Sequence, residues 1–98
     1  MNQNDAIQAQ IAALLTVRNY LLNQTPSDMV ALANVTENIV ALNQRQAALS
    51  TQIGGPQLLS AAQQAALQSA ITTLDAQVQQ GATVSALLTF VTALLQAV

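Results

Sequence analysis

Apolar residues recur along the chain at intervals of three and four, and Pro and Gly interrupt the pattern at only three places. These are Thr25–Pro26, Gly54–Gly55–Pro56 and Gly81. Between the breaks lie four stretches with helical periodicity and none with strand alternation. The second is the clearest: Leu32, Val35, Ile39, Leu42, Gln46, Leu49 and Ile53 form the a/d seam of coiled-coil-like packing. The third repeats the spacing more weakly through Gln64, Leu67, Ile71, Leu74 and Val78. In the first the stripe reads Ile7, Ile11, Leu14, Leu15, Leu21 and Leu22. In the fourth it reads Val84, Leu87, Leu88, Val91, Leu94, Leu95 and Val98.

Capping signals set the boundaries. Thr25 as N-cap, Pro26 at the first helical position and Asp28 at the third predict one helix start. Ser60 with Gln63 forms a capping box for another, while Gly54–Gly55 and Gly81 predict stops. The predicted helices span about 4–23, 26–53, 61–80 and 83–98. Connections of roughly two to six residues favour antiparallel neighbours. The expected fold is all-α, an antiparallel up-down bundle of four helices in one domain over residues 1–98. No short-period internal repeat supports a solenoid.

Composition narrows the chemistry. Among 98 residues there is no cysteine, histidine, tryptophan or lysine, and Ala, Leu and Gln make up half the chain. Disulfides, thiolates, imidazole bases and Ser-His or Cys-His nucleophiles are therefore excluded. The charged residues are Arg18 and Arg45 against Asp5, Asp28, Glu37 and Asp75, for a net charge of -2. Two arginines cannot track a phosphate backbone, so no nucleic-acid partner is expected. Uncharged amides and hydroxyls carry the polar surface instead, and they lose less on desolvation than ions do. Protein interface cores are depleted of charge in the same way.

Met1–Asn2–Gln3–Asn4–Asp5 has no basic n-region, which gives the expectation of no secretory signal and of a cytoplasmic or particle-associated location. Residues 76–98 carry no charge, but Gly81 and eight Gln, Ser or Thr residues divide them, against the uninterrupted run a span requires.

Three side-chain groups stand out. Arg18 projects from the apolar stripe of the first helix and needs a partner there. Matching levels in an up-down bundle predict a polar cluster of Arg18, Asp28 and Asp75, a structural ion group that sets helix order. Gln46 interrupts the seam of the second helix and is expected opposite Gln64 as a register pair. Asp5 and Arg45 fall level across the first hairpin as an exposed pair. The four acids have neither di-iron nor calcium-loop spacing, so no metal and no cofactor are expected. Tyr20 and Phe90 are the only aromatics, too few to stack on bases or sugars.

The fourth helix has more apolar surface than a core needs, with a second stripe of Ala86, Phe90, Ala93 and Ala97. The second helix has a lesser one through Met29, Ala33, Val40 and Ala47. These stripes are expected to bind other subunits. The sequence thus reads as a non-enzymatic structural or assembly protein, packing with copies of itself or with other proteins. A phage or other supramolecular particle is the analogy. Two alternatives are a membrane-active protein inserting its fourth helix and a small-ligand module built on the Arg18 cluster.

Overall fold

A computed structural model describes residues 1–24 and 26–97. The described residues form four helices, α1 (Gln3–Leu22), α2 (Met29–Ser50), α3 (Ala61–Gln79) and α4 (Val84–Gln96). The expected cap at Thr25 and the last stripe position, Val98, lie outside the described residues.

Each helix starts on a side chain that accepts from an otherwise unpaired main-chain N–H. Asn2 Oδ1 accepts from Asp5 N at 2.9 Å and Asp5 Oδ2 accepts from Asn2 N at 3.2 Å, a reciprocal capping box at the start of α1. Ser60 and Gln63 form the same box on α3, as their spacing predicts. Thr83 caps α4 through Ala86 N.

The second helix differs from expectation at both ends. It begins at Met29 because Asp28 is its N-cap, with Oδ1 accepting from Ala31 N at 3.0 Å. The residue before it, Ser27, turns back to donate to Gln24 O, so the chain there wraps the end of α1 instead of starting a helix. At the far end, Ser50 and Thr51 donate their hydroxyls to Ala47 O and Ala48 O. Gly54 and Gly55 then take φ values of 84° and 67° and reverse the chain. Ile53, expected on the seam, is consequently fully exposed.

The ten-residue connection from Thr51 to Ser60 is longer than expected and is stitched to the amino terminus. Gln3 N donates to Gln57 O at 2.8 Å, and Leu59 N donates to Met1 O at 3.0 Å. Leu59 is buried beside them. At the end of α3, Gly81 N bonds Val78 O and Ala82 N bonds Gln77 O, with Gly81 at φ 71°. The helix thus stops at Gly81, as predicted, and does so through two main-chain bonds.

Helix α1 is the hub. It packs on α2, on α3 and on α4, and α3 packs on α4, while α2 packs extensively on α1 alone. The molecule is correspondingly elongated, 46 × 24 × 15 Å. Burial follows this layout. Leu14 and Leu21 of α1, Leu67 and Leu74 of α3, and Leu87 and Leu94 of α4 are fully enclosed. On α2 Val35 is fully enclosed, while the leucines at 32, 42 and 49 retain 5–8% exposure.

On α1 the buried seam is Ile7, Gln10, Leu14, Val17 and Leu21, an unbroken alternation of three and four. Leu15 and Leu22, expected in the core, are 43% and 49% exposed. At 100° per residue they lie roughly 110° round the helix from the centre of that seam.

Candidate functional site

The polar cluster expected of Arg18, Asp28 and Asp75 does not form. Asp28 is exposed and committed to capping α2. Asp75 is half-buried on α3. Among the described residues no carboxylate comes within 4.0 Å of either guanidinium. Arg18 resolves its position differently: it is half-buried on the flank of α1, at the side turned to α2. Its aliphatic stem can follow apolar surface while its head stays hydrated, so no internal counter-ion is required. Asp5 is likewise used in the Asn2 capping box, and Arg45 lies beside Gln3 and Ile7 at the start of α1.

The expected Gln46–Gln64 register pair is also not formed. Gln64 Nε2 donates to Leu59 O at 3.3 Å, within its own helix entrance. Gln46 borders a groove with Asn4, Gln8 and Pro56. The physical reason is the helix layout: α2 is held by α1, so its seam does not face α3.

Two polar residues that spacing alone did not assign to a contact tie the helices together. Gln10 is completely buried, and its Nε2 donates to Leu94 O at 3.0 Å in the last turn of α4. Among the described residues its Oε1 has no hydrogen-bond partner. Tyr20 donates its phenolic hydrogen to Ala82 O at 3.2 Å, pinning the α3–α4 turn. The signal for Gln10 is present in the sequence as a polar position inside a perfect seam, the same signal that marks Gln46.

The apolar stripes divide into two kinds. Phe90 and Ala97 of α4 pack on the chain's own core, and Phe90, Ala93 and Ala97 border a groove of about 420 Å³ shared with Ala66, Ala70 and Thr73 of α3. Ala86 is half-buried and Ala93 exposed. Two of the four stripe residues, Phe90 and Ala97, are thus partly covered within the chain, while Ala93 stays exposed beside the groove. On α2 the stripe is open at Met29, 71% exposed, and Val40, 49% exposed, and Val30 beside it is 81% exposed.

The α2 stripe does not stand alone. A second groove of about 420 Å³ runs between α1 and α2, bordered by Arg18 and Leu22 on one bank and by Met29, Ala33 and Glu37 on the other. Leu15, Arg18 and Leu22 form one row along α1 at three-four spacing. Met29, Ala33, Thr36 and Val40 form the matching row on α2. Apolar positions thus lie on both helices of the packed α1–α2 pair, with one positive and one negative side chain set among them.

Among the described residues there is no group of three or more His, Cys, Asp or Glu that could hold a metal ion. No described helix is long and apolar enough to cross a membrane. The most apolar helix, α4, turns Leu87, Val91 and Leu94 into the core. Compared with protein-family models, with curated proteins and with solved structures, the chain matches none of them.

Proposed function

We propose that this protein is a non-enzymatic structural subunit, an antiparallel up-down helical bundle that associates with copies of itself or with other protein subunits in a larger assembly. The observation that carries this reading is the one-sided attachment of α2. The helix packs extensively on α1 alone and keeps Met29, Val30 and Val40 in solvent. Isolated exposed apolar residues need no explanation, but several grouped on one helix beside a groove are the surface expected of a protein contact. The charge-poor surface supports the same reading, because covering amides and hydroxyls costs less than covering ions.

Light scattering on a sizing column, run over a hundredfold dilution without detergent, tests it. A particle of at least twice the 10.2 kDa chain mass, dissociating on dilution or persisting through it, is the expected result. A 10.2 kDa monomer at every concentration would overturn self-association.

A further inference from the structure

We propose that the open face of the α1–α2 hairpin pairs with the same face of a second copy about a two-fold axis, so that Arg18 of each copy meets Glu37 of the other. This rests on the self-assembly reading above and names the surface and its occupant.

Charge identifies the occupant. The groove between α1 and α2 is bordered by Arg18 on one bank and Glu37 on the other, and it carries no further ionic side chain. The two are not paired within the chain, since no carboxylate lies within 4.0 Å of Arg18 among the described residues. A face with one positive and one negative group on opposite banks is electrically self-complementary. A two-fold axis running along the groove exchanges the banks and brings each positive group toward the other copy's negative one, with the same patch used on both subunits. A partner of strong net charge of either sign would satisfy one of these groups and leave the other opposed. A purely apolar partner would leave both without a counter-charge in a desolvated contact.

The apolar pattern agrees. Leu15 and Leu22 on α1 and Met29, Ala33 and Val40 on α2 repeat at heptad spacing along two adjacent helices. A hairpin with this pattern on one face is half of a four-helix layer, and a second copy of the hairpin supplies the other half. The small Ala33 lies on the groove bank between Met29 and Glu37, where close approach of a neighbouring helix is easiest.

Two single charge reversals, studied alone and mixed, test the pairing. In Arg18→Glu both 18–37 contacts of a symmetric dimer become negative against negative. In Glu37→Arg both become positive against positive. Each variant alone should dimerise about tenfold or more weakly than the parent chain, since like charges face each other across the contact. In an equimolar mixture the heterodimer regains opposite charges at both contacts, so dimer should return, with one copy of each variant. Pairing within a chain cannot produce that recovery. Circular dichroism and cooperative unfolding establish that each variant is folded. If Arg18→Glu does not fold, Ala33→Glu on the exposed bank of the groove takes its place and should abolish dimer by itself.

If the parent chain associates but the single reversals associate as well as it does, the pairing is overturned while self-assembly stands. Failure of the folded mixture to recover overturns it equally, as does an Ala33→Glu chain that still dimerises. A parent chain that stays monomeric overturns both.

Discussion

The side-chain amide of Gln10 reaches from the middle of α1 to the main-chain carbonyl of Leu94, 84 positions later and 3.0 Å away, at the closing turn of α4. Leu94 O also accepts from Ala97 N at 3.3 Å, so the amide is a second donor to that carbonyl and ties the end of α4 to α1. The contact also leaves Gln10 Oε1 enclosed with no donor among the described residues, which offsets part of the gain. Gln10→Met keeps the volume, removes the orphaned oxygen and gives up one hydrogen bond. Its unfolding free energy is expected within about 1 kcal/mol of the parent. Gln10→Glu is expected to lose about 3–5 kcal/mol at pH 7, because an ionised carboxylate would be buried without a counter-charge. Burial raises the carboxyl's pKa in the folded chain above its unfolded value of about 4.3. The relative stability of that variant is therefore fully present below about pH 4 and lost as pH rises through the folded pKa. Urea unfolding at pH 4 and pH 7 checks this, and equal losses at both would refute the burial argument.

Tyr20 and Gly81 hold the α3–α4 turn by different means, and the two contributions can be separated. Tyr20→Phe deletes the bond to Ala82 O and should cost about 0.5–1.5 kcal/mol. Gly81→Ala should cost about 1–2 kcal/mol through its positive φ alone. A Cβ at Gly81 meets its nearest neighbour, the Tyr20 hydroxyl, at an ordinary 3.8 Å, so no clash adds to the backbone cost. Thermal unfolding of the two single variants gives the values. A Gly81→Ala chain as stable as the parent would contradict the left-handed turn.

Asp28 distinguishes a cap from a member of an ion cluster. Asp28→Asn keeps an oxygen acceptor for Ala31 N and should change stability little, whereas Asp28→Ala should cost about 1 kcal/mol. An Asn variant as damaged as the Ala variant would show that the charge, and not the cap, is what matters there.

These particulars show how far the sequence could be read. Helix number, the Ser60–Gln63 box and the Gly81 stop were legible because they depend on residues within one turn of each other. The seam of α3 was legible for the same reason. Arg18 and Gln46 were misplaced because their partners depend on which helices become neighbours, and spacing within a helix does not encode that choice. The exposed Leu15 and Leu22 have the same origin: α1 carries two apolar rows, and only the hub position of α1 selects the one that is buried. The open α2 stripe at Met29 and Val40 was legible, whereas its continuation across α1 required the fold.

Phe90 and Val30 separate the two apolar surfaces by experiment. Phe90 is half-buried and packs on the core, so Phe90→Ala removes contacts within the chain. It should lower the unfolding free energy by about 2 kcal/mol, less than for a fully enclosed ring. Val30 is 81% exposed on α2, so Val30→Ser should alter the stability of the monomer by no more than about 0.5 kcal/mol. On association the order reverses. If α2 is the docking helix, Val30→Ser weakens the oligomer while Phe90→Ala, measured where it remains folded, leaves its mass unchanged. Paired measurements of unfolding and of particle mass on both variants distinguish the surfaces. An oligomer that dissolves with Phe90→Ala and survives Val30→Ser would move the contact to α4.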